Sequence, residues 1–282
     1  MAKSPFPLSD TSLRLGLLGG GTIARLVLEH LRRGELEGID VVALCGRGGA
    51  ASAALAREFS VPYLRDAAEL RRGGAEVVLE AASHEAVREH GEALLASGAS
   101  LIVLSAGALA DPALRGRLER AAARGGAYLY VPSGGIGGLD ALKSACVAGV
   151  DEVTIQVAKP PAAWRGIPYV EALGVALDRL AEPVTLFDGP AGEGVPHFPQ
   201  NVNIAAVLSL AGIGFERTRL KVLADPALTY NTHTIRVSGA SGRFQVVLEN
   251  VPMPANPKTA WLACCSALST LRQLRSRVRY GM

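Results

Sequence analysis

The stretch GLLGGGTIA, residues 16–24, sets three consecutive glycines between a short apolar segment and an amphipathic one. Arg14–Leu18 has the length and composition of a buried β-strand, and the apolar residues of Thr22–Arg33 recur at helical spacing. A strand, a glycine-rich turn and a helix in this order are typical of a dinucleotide-binding loop. The alternative is a simple strand-to-helix turn that binds nothing.

The spacing Gly19-x-Gly21-x-x-Ala24 meets the requirements of such a loop. The first glycine allows the tight turn, the second lets a pyrophosphate approach the backbone, and the small third residue lets helix and strand pack closely. The N–H groups and positive dipole end of a helix N-terminus favour phosphate. We therefore predict that NAD or NADP binds at this loop, through Gly19, Gly21, Thr22, Ile23 and Ala24.

Composition and charge argue against several classes of function. The chain has 282 residues, 49% apolar and 20% charged, which is typical of a globular protein with a substantial core. Its net charge of +3 is too small to indicate a nucleic-acid or membrane partner. The pattern predicts neither a signal peptide nor a transmembrane helix.

The cysteines indicate a reducing compartment. Cys45, Cys146, Cys264 and Cys265 lack CxxC spacing and have no histidine partners at metal-ligand spacing. We predict that they are reduced thiols in a cytoplasmic protein, and that the protein binds no metal.

The order of predicted elements defines the fold class. In the first half, short apolar strands alternate with helices, which indicates βαβ units and a parallel sheet. In the second half, longer strands of alternating polarity and the turn SGASG at residues 238–242 indicate an antiparallel sheet with one covered face. We predict an α/β protein with an N-terminal Rossmann-type parallel sheet and a second α+β domain containing a largely antiparallel sheet.

The domain boundary is predicted near Pro132, where a glycine-rich crossing leads into the second half. Residues 1–132 would form the dinucleotide-binding domain, and residues 133–256 an α+β domain for substrate binding, catalysis and oligomerisation. A C-terminal helix at about 257–282 is a candidate to pack back on the first domain. The pattern also predicts a helix over Tyr169–Leu180 and a strand over Leu228–Val237.

The loop after the second strand bears on the choice of cofactor. An acidic residue there would bind the ribose 2′-OH, but the sequence reads Leu44-Cys45-Gly46-Arg47-Gly48. Arg47 would instead meet a 2′-phosphate or stack on the adenine, which predicts that NADP is accepted. The alternative is that Arg47 is a solvated loop residue.

Two later strand ends are predicted to line the nicotinamide side of the crevice. Small residues follow the strands Glu76–Leu79 and Leu101–Leu104, at the carboxyl ends where a dinucleotide lies. His84 is open to two interpretations, a catalytic residue or a helix N-terminal residue near the cofactor. The predicted contacts are Ala82, Ser83, His84, Ser105 and Ala106.

His233 is the candidate catalytic base of the second half. On a strand, period-2 alternation places it on one face with Asn231 and Ile235. A neutral imidazole there would take a proton from an amino group or from attacking water, and histidine titrates near working pH. The alternative is a half-buried histidine whose hydrogen bonds are satisfied.

Several ordered motifs resemble the L-aspartate dehydrogenase family, over about residues 14–275. They are GLLGGGTIA (16–24), SAGALAD (105–111), PSGGIGGLDAL (132–142), KPPAAW (159–164), FPQNVNIAA (198–206), NTHTI (231–235) and NPKT (256–259). The resemblance implies oxidative deamination of L-aspartate to iminoaspartate, with NAD or NADP as hydride acceptor. Water then releases oxaloacetate and ammonia, and in some bacteria the iminoaspartate feeds NAD biosynthesis.

The resemblance also assigns roles to particular residues. The catalytic histidine of the family corresponds to His233, and its cofactor-contacting asparagine to Asn203. A further cofactor contact falls near Gly135 to Gly137, where other members have alanine. A dicarboxylate substrate needs cations or N–H donors, and the candidates in matching motifs are Lys159, Asn231 and Lys258. Lys258 has a second interpretation, as a residue that begins a helix after Pro257.

Two other functions fit the same domain logic. One is a related two-domain reductase that acts on dihydrodipicolinate or on another amino or imino acid, because a fold does not fix its substrate. The other is a non-catalytic NADP-binding regulator, although such a protein would be expected to lose its candidate base. A homodimer is expected because a half-covered antiparallel sheet often buries its other face against a copy.

Overall fold

The computed structural model describes residues 12–198, 202–253 and 256–280, and only the backbone of residues 256–259. The chain divides into two compact units. The first contains the chain up to Pro132 together with Ser266–Tyr280, and the second is Ser133–Cys265. Each unit is described separately below.

The first unit is built on a six-stranded sheet in the order β3-β2-β1-β4-β5-β6, in which every pair of neighbours is parallel. Its strands are β1 (Leu13–Leu18), β2 (Ile39–Cys45), β3 (Tyr63–Leu64), β4 (Val77–Glu80), β5 (Ser100–Val103) and β6 (Leu129–Tyr130). Its helices are α1 (Thr22–Arg32), α2 (Ala50–Glu58), α3 (Ala68–Arg72), α4 (His84–Ala96) and α5 (Pro112–Gly125). The predicted Rossmann-type sheet is confirmed.

The strand order reverses between β1 and β4, which are neighbours in the centre of the sheet. In open α/β sheets, ligands bind outside the carboxyl ends of the strands at such a switch point. Every residue of β4 and β5 is buried, as expected for parallel strands covered on both faces. The fold therefore places the ends of β1, β4 and β5 where a dinucleotide is expected.

The second unit is built on a five-stranded sheet in the order β11-β10-β7-β9-β8. Only β7 and β9 pair in parallel, so the prediction of a largely antiparallel sheet is confirmed. The strands of the five-stranded sheet are β7 (Val150–Lys159), β8 (Val184–Pro190), β9 (Thr218–Ala224), β10 (Asn231–Gly239) and β11 (Gly242–Asn250). The unit also contains β12 (Pro252–Met253) and β13 (Asn256–Ala260), which pair with each other. Its helices are α6 (Leu139–Ala148), α7 (Pro168–Ala172), α8 (Ala191–Gly194) and α9 (Asn203–Ala211).

The hairpin of β10 and β11 determines where the functional side chains lie. Gly239 pairs with Gly242 across a two-residue turn, which confirms the turn predicted at SGASG. This register sets His233 opposite Leu248 on β11 and opposite Val157 on β7. Because paired residues share a face, the imidazole lies on the buried, apolar face of the sheet.

Two helices of the second half are shorter than predicted. The helix expected over Tyr169–Leu180 is limited to α7, because Gly174 adopts a left-handed φ of +67° and breaks the helical path. A separate 3₁₀ turn covers Leu177–Arg179. The last helix, α10 (Trp261–Arg275), does not begin at Lys258, because Asn256–Ala260 pairs with β12 as a strand.

The last helix runs from one unit into the other. Its C-terminal part belongs to the first unit, where the Arg272 guanidinium donates to the Glu35 carbonyl at 3.1 Å. We propose on this basis that the dinucleotide-binding domain is completed by the end of α10. None of the helices in the described part of the chain is long and apolar enough to cross a membrane.

Candidate active site

The glycine loop after β1 is shaped by the end of β4. Gly19 has a left-handed φ of +108°, and a Cβ on it would lie 2.6 Å from the Ala81 carbonyl oxygen. That distance is too short for any side chain, and the backbone atom cannot move away as a flexible side chain would. Glycine is therefore required here by both conformation and space.

The other two glycines of the loop have different surroundings. A Cβ on Gly20 would lie 2.4 Å from the Ser52 hydroxyl, at the start of α2. At Gly21 no atom of the described residues other than its chain neighbours lies within 4 Å of the added Cβ, and the residue offers no side chain to cap α1. The Gly21 backbone is thus bare beside an eleven-residue helix, as the approach of a diphosphate requires.

The loop after β2 is held by a tyrosine that the sequence analysis did not single out. The Tyr63 hydroxyl accepts from the Gly48 N–H at 3.1 Å and donates to the Gly46 carbonyl at 3.0 Å. Arg47 lies between these glycines and is exposed. The loop therefore has a defined backbone from which the guanidinium projects.

Glu80 is a second residue that the sequence analysis missed. It is fully buried at the end of β4 and accepts the N–H groups of Ala82 at 2.8 Å, Leu104 at 3.2 Å and Ser105 at 3.0 Å. The Ser105 hydroxyl donates a fourth bond at 2.8 Å. Burial raises the pKa of this carboxyl, and these hydrogen bonds oppose the rise. Glu80 therefore ties together the chain after β4 and β5, where Ala82 and Ser105 were predicted to contact the cofactor.

The remaining predicted contacts of the first unit lie at these same strand ends. Ser83 is the N-cap of α4 and accepts the Ala86 N–H at 3.2 Å, and His84 is the first residue of that helix. Ala106 is buried in a 3₁₀ turn that follows β5. Thr22, Ile23 and Ala24 form the first turn of α1.

His233 lies in a buried cluster with Gly135 and Asn250. Its exposed fraction is 4%, and its Nδ1 is 3.2 Å from the Gly135 carbonyl oxygen and 3.0 Å from Asn250 Nδ2. Asn250 Nδ2 also donates to that carbonyl at 3.0 Å. Gly135 thus enters the site through its carbonyl, and a Cβ on it would meet only ordinary contacts, the nearest at 3.6 Å.

The second ring nitrogen of His233 is buried without a hydrogen-bond partner in the described part of the protein. Burial lowers the pKa of His233 to about 4, against a smaller opposite effect of the Gly135 hydrogen bond, and the charge of Lys159 lowers it further. The imidazole is therefore neutral at working pH, and Nε2 is the atom left to exchange a proton with a ligand.

Lys159 is a buried cation on the same face of the sheet. It follows Val157, the β7 partner of His233, by two residues, so period-2 alternation places both side chains on one face. Its exposed fraction is 5%, and Nζ lies 5.1 Å from the centroid of the buried Trp164 ring. Burial lowers the pKa of Lys159 to about 8. An anionic ligand near this ammonium would offset part of its desolvation.

The other predicted residues of the second unit lie around this cluster. Asn203 is the first residue of α9, and a Cβ on Gly134 would lie 3.7 Å from Ile204 of that helix. Gly137 lies two residues beyond Gly135, and Asn231 pairs with Asn250 across the hairpin. Lys258 is in β13, and its side chain lies outside the described residues.

A sequence signal for Asn250 existed but needed the hairpin register to be used. Pairing outward from the turn at Gly239 and Gly242 sets Asn250 opposite Asn231, on the face of His233. For Glu80, the signal is an acid that ends an otherwise apolar buried strand, VVLE. In the described ranges no cluster of three His, Cys, Asp or Glu residues is placed to hold a metal ion.

Two family models match different parts of the chain. A family model described as the C-terminal domain of aspartate dehydrogenase matches residues 140–274. The NAD-binding domain of homoserine dehydrogenase, as a family model, matches residues 19–132. The two matches lie on either side of the glycine-rich crossing, and the C-terminal one extends into the part of α10 that groups with the first unit.

Two relatives that are similar over almost the whole chain are named as L-aspartate dehydrogenases. An L-aspartate dehydrogenase of Methanosarcina acetivorans is 43% identical over 95% of this chain and 99% of its own length. L-aspartate dehydrogenase 2 of Bordetella pertussis is also 43% identical, with the same two coverages. The crystal structure of aspartate dehydrogenase from Thermotoga maritima is 28% identical, with a TM-score of 0.73 over 95% of this chain and 99% of that one. These findings confirm the resemblance seen in the motifs.

The burial of His233 predicts a pH dependence of stability. Its folded pKa of about 4 lies below the ordinary value of 6.5, so between these values the unfolded chain binds a proton that the folded protein refuses. Stability is therefore lost as the pH falls through this range. From pH 7 to pH 4 the free energy of unfolding of the wild type should fall by about 3 kcal/mol more than that of His233→Gln.

Denaturant unfolding at several pH values measures this difference. The matched control is His90→Gln, which removes a partly exposed histidine of α4 and should leave the slope of the wild type unchanged. Parallel curves for the wild type and His233→Gln would contradict the prediction.

Proposed function

The chain belongs to the L-aspartate dehydrogenase family, and we propose that it catalyses the oxidation of L-aspartate to iminoaspartate by NAD or NADP, with His233 as the base. It is an NAD(P)-dependent amino-acid dehydrogenase. The observation that carries the proposed role of His233 is its buried, neutral imidazole, whose Nε2 has no partner in the described part of the protein. Dihydrodipicolinate reduction and non-catalytic regulation have no comparable support.

The residues of the first unit fit the cofactor. The backbone at Gly21, which has no side chain beside it, and the N-terminus of α1 would hold the diphosphate. The residues that follow β4 and β5, which Glu80 holds together, would face the nicotinamide half. Asn203 and Gly135 to Gly137 are proposed contacts from the second unit. When bound, NAD or NADP supplies the acceptor for the hydride that leaves the substrate Cα.

His233 handles the proton in this proposal. When Cα loses hydride, the substrate nitrogen must lose a proton, and later the water that attacks the imine must lose one as well. The Nε2 lone pair of a neutral imidazole accepts such a proton, while Nδ1–H remains bonded to the Gly135 carbonyl. Because the ring is desolvated, the proton is held weakly and is readily passed on.

Lys159 is the proposed partner of a substrate carboxylate, with Asn231 and Lys258 as further candidates. A buried ammonium on the face of His233 supplies the charge that a dicarboxylate needs and sits close enough to lower the pKa of the base. A bound carboxylate would offset this effect, because opposite charges favour each other's ionised form. Substrate binding and the proton affinity of His233 are thereby coupled.

Turnover of L-aspartate tests the proposed reaction and the base together. Purified protein mixed with L-aspartate and NADP, then NAD, should raise the absorbance at about 340 nm, the band of the reduced nicotinamide. His233→Ala should lower kcat by about 100-fold or more, because general-base catalysis contributes about 10²–10⁴-fold. Fluorescence titration of His233→Ala with the cofactor should give the same Kd as for the wild type.

The control is His90→Ala, a partly exposed histidine within α4, which should turn over as the wild type does. Binding of cofactor without turnover of L-aspartate, or of oxaloacetate with ammonia in reverse, would refute the substrate. Full activity in His233→Ala would refute the base alone.

Removal of the buried ammonium should weaken the substrate and not the cofactor. Lys159→Met is expected to raise KM for L-aspartate by about 10- to 100-fold, since a hydrogen bond to a charged group contributes about 1.5–3 kcal/mol. It should also move the acidic limb of the pH profile upward, because Lys159 lowers the pKa of His233. Steady-state kinetics over pH measure both effects.

Lys143→Met is the matched control, since this lysine is exposed on α6. An increase in KM for the cofactor that equals the increase for L-aspartate would contradict the assignment.

Arg47 is the proposed determinant of NADP use. Arg47→Ala should lower kcat/KM for NADP by about tenfold and leave kcat/KM for NAD within about twofold, because only NADP carries the 2′-phosphate. The ratio of the two values is measured in the same assay, with Arg57→Ala on the exposed side of α2 as control. Equal losses with both cofactors would mean that Arg47 does not read the 2′-phosphate.

A cytoplasmic homodimer completes the proposal. The four cysteines are free thiols, which supports a reducing compartment. Val247 and Val251 are exposed near the β11 edge of the second sheet, and exposed apolar side chains on a sheet favour contact with a copy. The iminoaspartate formed would be available to NAD biosynthesis.

A further inference from the structure

Three polar atoms lie close together in the His233 cluster. Asn250 Nδ2 lies 3.0 Å from the Gly135 carbonyl oxygen and 3.0 Å from His233 Nδ1, and Nδ1 lies 3.2 Å from the same oxygen. All three residues are buried, and Asn250 ends β11 with an exposed fraction of 4%. No role has so far been given to Asn250.

The orientation of the Asn250 amide follows from the carbonyl beside it. A carbonyl oxygen can only accept, so the amide atom 3.0 Å away must be the nitrogen and not the oxygen. With the amide reversed, two acceptor oxygens would face each other in a buried site, which is unfavourable. Asn250 therefore holds the Gly135 carbonyl in place from a position beside the imidazole.

Two neutral forms of His233 are compatible with this amide. If Nδ1 carries the proton, it donates to the Gly135 carbonyl, its 3.0 Å approach to Asn250 Nδ2 is a contact between two donors that share this acceptor, and Nε2 is left as a buried lone pair. If Nε2 carries the proton, Nδ1 accepts from Asn250, its lone pair faces the carbonyl at 3.2 Å, and a buried N–H is left without an acceptor in the described residues. A buried N–H without a partner is rarer than an unfilled lone pair, so the first form is favoured.

We propose that Asn250 is the positioning residue of His233, and that it fixes the Gly135 carbonyl as the acceptor for Nδ1–H so that Nε2 stays the proton acceptor. The proposal rests on the role of His233 as the base. An amide also does this without adding a charge. A carboxylate at the same place would stabilise the imidazolium and raise the pKa of the ring.

The surroundings of His233 make the neutral amide important. Its partners across the sheet, Leu248 and Val157, are apolar. Lys159 on β7 acts on it with a positive charge, whereas Asp140 and Lys143 of α6, which packs on β10, are exposed. Asn250 is thus placed where a change of one side-chain atom would alter the charge balance of the ring.

Nuclear magnetic resonance of ¹⁵N-histidine-labelled protein tests the tautomer directly. The chain has five histidines, and the signal of His233 is identified by its loss in His233→Gln. In the wild type we expect Nδ1 to be the protonated nitrogen and Nε2 the bare one. A wild-type signal from the Nε2–H form would overturn the proposal, and this measurement requires no Asn250 variant to fold.

Two variants then separate positioning from structural support. Asn250→Leu keeps the approximate size and removes the donor, and should give a mixture of tautomers and a kcat lowered about tenfold or more, with KM for the cofactor unchanged. Asn250→Asp should raise the pKa of His233 by at least one unit and move the acidic limb of kcat upward by the same amount. Gln245→Leu and Gln245→Glu, on the exposed face of β11, are the matched controls.

The outcomes separate the role of Asn250 as a positioning residue from the role of His233 as the base. Loss of stability in Asn250→Leu without any change of tautomer, or a titration of His233 unchanged in Asn250→Asp, would mean that Asn250 only supports the fold. Full turnover in His233→Gln would refute the proposed base. The tautomer and pKa results on His233 would stand in that case, because neither is an activity measurement.

Discussion

The chemistry proposed for this protein depends on the removal of water from a single imidazole. His233 lies on the covered face of a sheet, between apolar partners on both neighbouring strands, and this burial is the largest influence on its pKa. The same burial leaves Nε2 as a reactive atom, since no described group and no bulk solvent competes for its lone pair. The nearby positive charge of Lys159 acts in the same direction. Desolvation therefore both prepares the base and limits how strongly it holds a proton.

The two buried polar side chains missed in the sequence perform comparable tasks in the two units. Glu80 collects three backbone N–H groups and a hydroxyl and thereby fixes the chain at the ends of two strands. Asn250 meets one carbonyl and one ring nitrogen and leaves the local charge unchanged. A carboxylate is suited to the first site because every neighbour is a donor. An amide is suited to the second because its neighbours include an acceptor.

How far the sequence predicts these features depends on the distance along the chain over which each is determined. The glycine loop was predictable because its signal, the spacing of Gly19, Gly21 and Ala24 between a strand and a helix, lies within one βα unit, although the contact that excludes a side chain at Gly19 comes from Ala81 after β4. The hairpin of β10 and β11 was predictable from five residues at its turn, and its register carries His233 to the correct face. The cluster itself joins Gly135 to residues 98 and 115 positions away, and no periodic pattern reports such contacts. The helix expected after Tyr169 was too long because one glycine outweighed an otherwise helical pattern.

The last helix has a consequence for how the chain is built. Its buried residues Leu271 and Leu274 lie in the part that belongs with the first unit, more than 130 residues after that unit's other segment ends at Pro132. Chains are synthesised from the N-terminus, so the parallel sheet emerges before the second unit and before the part of α10 that groups with it. The described residues of the second unit lie between the two segments. The unit that begins first therefore receives its last segment only after those residues have been synthesised.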